Sequence, residues 1–327
     1  MEDGGLRPPD VASVLVTGVD GWVGGNVAAA LVDRAVVRGL FRDRPVALNG
    51  CTTEPWDPRD PGDVRRRVLG ASPHWIVHCG ALARGSWDLP DHPGAAALGR
   101  EESAICSVLV GLAERLGARL TVISTDAVFS GPRLFHDEQS PATGRHPVAL
   151  AARQLERELA RPGVLVVRTH PYGWSPDQTE PCFAEWAWQA LSEGEVCSFS
   201  PWRSATPILA SDLAELLWSS YRRGLEGCYH LAGAERTSAY RFAVELAAAF
   251  GLRGAAVDCL EQPPWDGRAE SLDETSLGTR RAQHALGRPL PMLREGLDRF
   301  ARQARNGFRD RLRSRPAPGA APWADAA

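Results

Sequence analysis

A glycine-rich turn between a buried strand and a helix is the feature that most restricts how this chain can fold. The apolar run at 12–17 ends at Gly18, and Thr17-Gly18-Val19-Asp20-Gly21-Trp22-Val23-Gly24 then opens an alanine-rich helix. In such a turn the first glycine permits the tight bend, the second admits a pyrophosphate and the third lets helix pack on strand, while the helix N-terminus supplies amides to the anion. The pattern predicts a dinucleotide site whose cofactor-binding residues are Gly18, Gly21, Trp22, Val23 and Gly24. The alternative is an inherited turn that binds nothing.

Apolar runs recur along the first half of the chain and alternate with alanine- and leucine-rich helical stretches. The further runs lie at 35–41, 75–79, 120–124 and 164–168, and the helical stretches include 104–117 and 148–159. Alternating strands and helices are typical of parallel sheets with helices on both faces. The sequence therefore predicts an α/β fold with a Rossmann-type doubly wound parallel sheet, and we assign residues 1–168 to an NAD(P)-binding domain.

The composition of the sequence changes after Arg168. Proline becomes frequent, helical stretches appear at 209–223 and 238–251, and four tryptophans cluster at Trp174, Trp186, Trp188 and Trp202. We predict a smaller C-terminal α/β substrate-binding lobe over 169–313, from which about 205–235 returns to the sheet. The tryptophans could stack on a ligand or pack the lobe core. The Pro-, Gly- and Ala-rich end, 314–327, is predicted to be a disordered tail.

All 37 basic residues are arginine, and the chain contains no lysine. A lysine-based phosphate loop, a Schiff-base lysine and a Tyr–Lys catalytic couple are therefore excluded. A formal net charge of −3 gives no electrostatic reason to expect nucleic acid or a membrane surface as a partner. The seven scattered cysteines include no CxxC pair, so we expect no metal site. The acidic start lacks an apolar signal segment, and we expect a cytoplasmic protein.

The residue at the end of the second strand predicts which cofactor is preferred. Folds that prefer NAD carry an Asp or Glu there to receive a ribose hydroxyl, whereas this chain has Arg42, with Arg44 nearby. A guanidinium group suits a 2′-phosphate. We therefore predict NADP(H) in preference to NAD(H), although Asp43, between the two arginines, opposes a phosphate.

Several motifs follow one another in an order that is known from one enzyme family. The most specific is Ser124-Thr125-Asp126-Ala127-Val128-Phe129-Ser130-Gly131, close to that family's STDYVFDG. The others are Asp57, the segment from His78 to Ala83, Arg168-Thr169, Tyr172-Gly173, Arg203 and Thr206-Pro207. From about Val14 to Leu297 the chain resembles the dTDP-4-dehydrorhamnose reductase family of extended short-chain dehydrogenases/reductases. The resemblance implies a pyridine nucleotide, a nucleotide-sugar-like substrate, and cofactor contacts at Asp57, Gly80 and Ala81.

The resemblance also implies which groups should carry the chemistry. In the family a tyrosine protonates the sugar C4 oxygen, a lysine four residues later holds the nicotinamide ribose, and a serine or threonine orients the carbonyl. Thr125 matches the last role, with Asp126 beside it. The Tyr–Lys couple should fall, according to the register, on Val148/Ala152, Ala149/Arg153 or Ala151/Leu155. It is missing in each, although Arg153 could supply positive charge near the ribose; the alternative is a solvated arginine paired with Glu156.

A replacement acid has to be sought among histidines, whose ordinary pKa lies near ~6.5. The candidates are His78, His136, His146 and His170. We favour His170, because in the family the segment after Arg168-Thr169 faces the substrate cleft, although each histidine could be structural. The predicted catalytic residues are thus Thr125, Asp126 and His170, and the resemblance makes Tyr172 and Arg203 the predicted substrate-binding residues.

Three hypotheses about function remain open. The first is an NADP(H)-binding enzyme that acts on a nucleotide sugar or related carbonyl compound without the Tyr–Lys couple. The second is a catalytically inactive cofactor-binding regulatory or partner subunit. In the third, the site serves elimination or epimerisation. Ordinary dehydrorhamnose reduction ranks below these, because loss of acid catalysis alone costs on the order of 10²–10⁴ in rate. The family resemblance also makes a homodimer an expectation.

Overall fold

Thirteen strands and ten α-helices alternate along the residues that the computed structural model describes, which are 12–89, 95–261 and 273–313. The strands are β1 (Ala12–Thr17), β2 (Ala35–Phe41), β3 (Thr52–Pro55), β4 (Trp75–His78), β5 (Arg119–Thr125), β6 (Val164–Thr169), β7 (Pro171–Tyr172), β8 (Cys197–Phe199), β9 (Ser204–Ala205), β10 (Ile208–Leu209), β11 (Gly227–His230), β12 (Thr237–Ser238) and β13 (Val257–Cys259). The helices are α1 (Trp22–Leu31), α2 (Pro61–Ala71), α3 (Ala95–Leu116), α4 (Pro147–Glu158), α5 (Phe183–Ser192), α6 (Ala210–Arg223), α7 (Ala239–Phe250), α8 (Arg280–Leu286), α9 (Leu293–Gln303) and α10 (Phe308–Leu312).

The central sheet confirms the predicted Rossmann-type doubly wound architecture. Its seven strands are all parallel and lie in the order β11-β6-β5-β4-β1-β2-β3. The apolar runs at 12–17 and 35–41 coincide with β1 and β2. From β1 the chain first builds outward through β2 and β3, then returns to place β4 on the other side of β1. Because parallel α/β sheets bind ligands where the strand order reverses, the carboxyl ends of β1 and β4 are the expected site.

The sequence analysis does not predict two elements of the Rossmann-type part of the fold, the strand β3 and the helix α2. The edge strand β3 reads Thr-Thr-Glu-Pro and is exposed or half-buried throughout, so it lacks the apolar run that marks the inner strands. Helix α2 carries three successive arginines at 65–67 and buries only a narrow face. Its start is nevertheless well specified, since Pro61 occupies the first turn and the Asp60 side chain accepts from the amide of Gly62 at 2.8 Å.

The second half of the chain contributes to the central sheet and its helices, and it also forms a smaller lobe. Within residues 205–235, α6 packs against α1, and β11 pairs with β6 at the edge of the central sheet. The smaller lobe contains three two-stranded sheets, β10-β7, β12-β9 and β13-β8, and the packed helices α5, α7 and α9. The predicted tail at 314–327 lies outside the described residues.

The four tryptophans that cluster between residues 174 and 202 divide between core and surface. Trp174 is fully buried, stacks on Phe300 with ring centroids 4.2 Å apart, and meets Trp188 edge-on at 5.1 Å. Trp186 and Trp202 are instead 44% and 45% exposed. Core packing therefore accounts for one pair, and the other pair is accessible to a ligand. No helix within the described ranges combines the length and apolarity that a membrane crossing requires.

Candidate active site

The glycine turn is fixed by contacts that leave no room for a side chain at two of its three glycines. Gly18 has φ +69°, and a Cβ there would lie 2.0 Å from the carbonyl oxygen of Cys79. A Cβ on Gly24 would lie 2.2 Å from the carbonyl oxygen of Gly18. At Gly21 the nearest heavy atom would be 3.4 Å away, and this residue lines an open cleft. The backbone itself therefore requires glycine at 18 and 24, while glycine at 21 keeps the cleft wall free of a side chain.

The first turn of α1 leaves its amides available to a ligand. Its N-cap residue, Gly21, has no side chain that could accept a hydrogen bond, and the first turn contains no acidic residue. Trp22 and Val23, which begin the helix, both line the cleft. Uncapped amides and the positive end of the helix dipole together favour an anion at this position. The residues present here fit the pyrophosphate of a pyridine dinucleotide.

The cleft continues past the ends of β2, β3 and β4. Its lining there includes Arg42, Asp43, Trp56, Pro58, Gly80 and Ala81. The side chain of Asp57 takes another direction: it is exposed and accepts from the backbone amide of Arg59 at 2.9 Å, which stabilises its own loop. The neighbours of Asp57 in this loop, Trp56 and Pro58, line the cleft instead.

Two carboxylates accept hydrogen bonds from donor groups near the end of β2. Asp20 Oδ2 accepts from the backbone amides of Arg42 and Asp43, at 3.0 and 2.9 Å. Glu101, on α3, accepts from an Arg42 guanidinium nitrogen at 2.5 Å and from Arg59 Nε at 3.1 Å. Neither carboxylate was singled out from the sequence, because Glu101 lies within a helix that carries no recognisable motif. Arg42 thus lies where the sequence analysis places it, but with an acidic partner.

A buried His–Glu pair also lines the cleft. His78 is 2% exposed; its Nδ1 lies 2.7 Å from Thr17 Oγ1 and its Nε2 lies 3.0 Å from Glu102 Oε2. The second oxygen of Glu102 accepts from the amide of Ala81 at 3.0 Å. Burial opposes protonation of the imidazole, but Cys106 and Glu102 outweigh it and raise the pKa of His78 to about 10. At neutral pH His78 is therefore a charged partner of Glu102.

The raised pKa of His78 makes part of the stability depend on pH. Because the pKa is about 10 in the folded protein and ~6.5 in the unfolded chain, protonation stabilises the fold fully below about pH 6.5, and this contribution is lost as the pH rises through 10. The free energy of unfolding of wild type should exceed that of His78→Gln by a few kcal/mol near pH 6, on the order set by these pKa values. Denaturant titrations across this pH range should show the difference shrinking. A difference that stays constant would contradict the assignment.

A closed polar network lies at the carboxyl ends of β5 and β6. Asp126 Oδ2 contacts His170 Nδ1 at 2.7 Å and accepts from Ser86 Oγ at 2.9 Å and from Thr275 Oγ1. Its Oδ1 accepts from the Ser86 amide at 2.8 Å. Thr125, at the end of β5, is fully buried beside them, and all five residues are at most 2% exposed. The structure therefore brings the predicted residues Thr125, Asp126 and His170 together, and adds two hydroxyl residues that the sequence analysis missed.

One nitrogen of the His170 ring is engaged and the other is not. Nδ1 faces Asp126, whereas Nε2 has no hydrogen-bond partner in the part of the chain that the structure describes. The carboxylate assigns the proton of the neutral ring to Nδ1. The ring meets Trp87 edge-on with centroids 4.5 Å apart, and a Cβ on Gly85 would lie 2.7 Å from Nδ1. The backbone at Gly85 and the side chain of Trp87 thus pack against the ring.

Trp87 joins this network to an aromatic cavity in the smaller lobe. The cavity lining includes Trp87, Phe183, Trp186, Phe199, Trp202 and Arg203. Arg203 donates from a terminal nitrogen to the carbonyl oxygen of Ser86 at 2.7 Å, so it connects the cavity wall to the segment that packs against His170. Arg203 therefore lies at a cavity next to the candidate catalytic pair, and its contact with a substrate stays a prediction.

Tyr172 lies in the core of the smaller lobe. It is 4% exposed and packs edge-on against Phe242 and Phe300, with centroids 5.1 and 5.7 Å apart. Burial raises the pKa of its phenol well above the ordinary value. The predicted substrate contact at Tyr172 is therefore not brought to the surface of the aromatic cavity, because the ring completes the packing between β7, α7 and α9.

Arg153 also lies away from the glycine turn. Its guanidinium donates to the carbonyl oxygen of Gly144 at 3.4 Å, and it lines a separate cavity with Glu156, Arg157 and Arg168. Glu156 is not its ion-pair partner, because that carboxylate binds Arg168 at 2.6 Å. The position of Arg153 in the structure does not support the cofactor contact that the sequence analysis expects there. The other positions of the three registers, Val148, Ala149, Ala151, Ala152 and Leu155, form the buried apolar face of α4.

The two remaining histidine candidates have structural positions. His136 is 2% exposed and stacks on Phe129 with centroids 4.4 Å apart. His146 is the N-cap of α4, where its Nδ1 accepts from the amide of Val148 at 3.3 Å. Within the described ranges, no three His, Cys, Asp or Glu side chains are grouped as a metal ion would require.

Comparison with known protein families gives a match over almost the whole described chain. The family model for the RmlD substrate binding domain matches residues 12–306. The chain belongs to the RmlD substrate-binding domain family. The resemblance to dTDP-4-dehydrorhamnose reductases seen in the sequence is thereby confirmed. A search of curated proteins found no match.

Solved structures share the fold of this RmlD-family chain at low sequence identity. A dTDP-4-dehydrorhamnose reductase from Bacillus anthracis in complex with NADP is 20% identical over 89% of this chain and 98% of that one, with a TM-score of 0.70. The UDP-glucose 4-epimerase of Thermotoga maritima with UDP-glucose is 18% identical over 90% and 99%, with a TM-score of 0.72. The enzyme WbmH of Bordetella bronchiseptica, in complex with NAD+, is 18% identical over 88% and 96%, with a TM-score of 0.68. At these identities the likeness establishes the fold.

Proposed function

We propose that this protein is a cytoplasmic NADP(H)-dependent oxidoreductase of nucleotide sugars or related carbonyl compounds, with His170 in place of the missing catalytic tyrosine. The observation that carries the proposal is the 2.7 Å contact between His170 Nδ1 and Asp126, next to Thr125 and at the carboxyl edge of the same sheet as the glycine turn. An imidazole that is oriented by a carboxylate through one nitrogen can exchange a proton through the other near neutral pH.

The side chains at the ends of β5 and β6 handle the proton in this mechanism. A pyridine nucleotide bound along the glycine turn supplies the hydride. His170 Nε2 donates its proton to the carbonyl oxygen, and Asp126 stabilises the imidazolium before that transfer. Ser86 and Thr275 donate to the Asp126 carboxylate and keep it oriented. Thr125 donates to Asp126 Oδ1 at 3.4 Å, so in this arrangement it positions the carboxylate.

The aromatic cavity is the proposed position of the nucleotide sugar. Trp186 and Trp202, both about half exposed, offer ring faces on which a base could stack. Arg203 lies in the same lining and suits a diphosphate. Trp87 lines this cavity and contacts His170, which supports a substrate position near the proposed proton donor.

NADP(H) is the proposed cofactor because Arg42 lines the cleft at the position that meets the adenosine ribose in this fold. Arg44 contributes less, since it contacts Asp177 and Glu180. Among structures of similar fold, the Bacillus anthracis reductase holds NADP and the Bordetella enzyme holds NAD+.

A second candidate function is a cofactor-binding subunit without activity of its own, either as a homodimer or with an enzyme partner. One observation favours it: Thr125 and Asp126 are fully buried and His170 is 2% exposed, so little of the proposed catalytic surface is open to a substrate.

Oxidation of NADPH and NADH in the presence of a panel of dTDP- and UDP-linked 4-keto sugars tests the proposal. We expect turnover with at least one panel member, and calorimetric binding of the pyridine nucleotide in its absence. Binding without turnover across the panel would favour the inactive subunit, and affinity capture of an enzyme partner would then support it. Absence of binding by either dinucleotide would contradict both functions.

A further inference from the structure

We infer that Glu101 determines how strongly this protein discriminates between NADP(H) and NAD(H), because it occupies the arginines that would otherwise receive a 2′-phosphate. The inference rests on the proposed function in one respect, since it concerns the cofactor proposed there. It adds a residue on α3 to a choice that the sequence analysis attributes to the end of β2 alone.

The two oxygens of the Glu101 carboxylate are divided between two arginines. Oε1 contacts a terminal nitrogen of Arg42 at 2.5 Å, and Oε2 contacts Arg59 Nε at 3.1 Å. The two guanidinium groups come from the loops that follow β2 and β3, and they converge on one acid. A phosphate group could bind the same pair of donors, since guanidinium groups bind carboxylate and phosphate with similar geometry.

Neighbouring donors that could compensate are also engaged. The backbone amides of Arg42 and Asp43 donate to Asp20 Oδ2, at 3.0 and 2.9 Å. The guanidinium group of Arg44 forms ion pairs with Asp177 and Glu180. A 2′-phosphate therefore has to compete with carboxylates for its hydrogen bonds.

The competition acts on one cofactor and not on the other. A phosphate monoester carries about −1.5 to −2 charges near neutral pH, so it must displace Glu101 from Arg42 and is repelled by the displaced carboxylate. The ribose of NAD(H) carries a hydroxyl, which can donate to a carboxylate and creates no such conflict. Glu101 consequently weakens NADP(H) binding selectively.

The carboxylate of Glu101 and its arginine partners are partly exposed, so neutralising Glu101 should disturb the fold little. The side chains of Glu101, Arg42 and Arg59 are 21%, 31% and 63% exposed. Ion pairs that solvent reaches contribute little to stability. A change in cofactor affinity on neutralising Glu101 therefore reports on the binding site.

The test measures binding of NADPH, NADH, adenosine 2′,5′-bisphosphate and 5′-AMP by calorimetry to wild type and Glu101→Gln. We expect the dissociation constants of the two 2′-phosphorylated ligands to fall about tenfold in the variant, while those of NADH and 5′-AMP stay within about twofold. Glu114→Gln is the matched control, because Glu114 lies on the same helix and pairs with Arg161 at 2.7 Å. It should leave all four constants unchanged.

A second variant identifies the donor. Adding Arg42→Ala to Glu101→Gln should remove the gain for the 2′-phosphorylated ligands. Equal changes for phosphorylated and unphosphorylated ligands, or tighter NADH binding in Glu101→Gln, would overturn the role of Glu101 and leave the proposed function intact. If wild type and variant bind neither dinucleotide, the proposed function fails as well, so the two failures are distinguishable.

Discussion

His170→Asn should lower the turnover number on the order of 10²–10⁴-fold and leave the dissociation constant of the pyridine nucleotide within about twofold. The asparagine amide nitrogen lies near the position of Nδ1, so it can still donate to Asp126 and preserve the buried network. It carries no titratable proton, so proton transfer to the carbonyl oxygen is lost. Steady-state kinetics on the best substrate of the keto-sugar panel, together with calorimetry of the cofactor, measures both quantities.

The control for this variant is His284→Asn, an exposed histidine on α8 that should have no effect. The supporting carboxylate gives a second readout: Asp126→Asn removes the charge that stabilises the imidazolium, so it should lower the turnover number and leave the dissociation constant of the pyridine nucleotide unchanged. Unchanged turnover in His170→Asn would rule out His170 as the proton donor and return attention to the inactive-subunit hypothesis.

Gly18→Ala should abolish measurable dinucleotide binding, a loss of at least about 100-fold, and lower the free energy of unfolding by more than about 2 kcal/mol. The new Cβ would lie 2.0 Å from the Cys79 carbonyl oxygen, and φ at this position is +69°, so the turn must move away from β4. Because the amides of α1 follow this turn, the anion site is displaced with it. Calorimetry and denaturant titration measure the two effects.

Two other glycines separate the causes. Gly117 has φ +63° with open space around it, so Gly117→Ala measures backbone strain alone and should cost about 1 kcal/mol without affecting binding. Gly21→Ala adds a Cβ that meets nothing closer than 3.4 Å, so it should fold normally and weaken binding only through its place in the cleft lining. Wild-type affinity in both Gly18→Ala and Gly21→Ala would show that no ligand approaches this turn.

The inner strands could be predicted because they are buried on both faces. β1, β4, β5 and β6 appear in the sequence as short apolar runs, and their burial leaves few other interpretations. β3 gave no such signal, since an edge strand of Thr, Glu and Pro buries little. Its position depends on pairing with β2, which is a tertiary contact.

The candidate site could be predicted where it depends on strand topology. Asp126 and His170 are 44 residues apart, but they follow two adjacent parallel strands in which Thr125 lies opposite Thr169, so any doubly wound sheet brings them together. Ser86 and Thr275 come from segments outside the central sheet, and no periodicity indicates that they converge on the same carboxylate.

Residues on helices were the least predictable part of the site. The register of α4 could not be fixed from the sequence, and the structure turns Arg153 towards Gly144 and a cavity of its own. Glu101 was missed because a helix presents different residues on each side, and only the packing of α3 decides which of them meet Arg42. Long side chains on helices therefore need the tertiary structure before a role can be assigned.

One edge strand of the central sheet, β11, is synthesised late. β6 ends at residue 169, and its partner β11 begins only at residue 227. A nascent chain that has emerged as far as β6 therefore exposes an unpaired strand edge, which is a template for association with other chains. Expression of the first 168 residues alone would make that transient state permanent. Separating the protein into halves for biophysical work would thus require that both pieces be produced together.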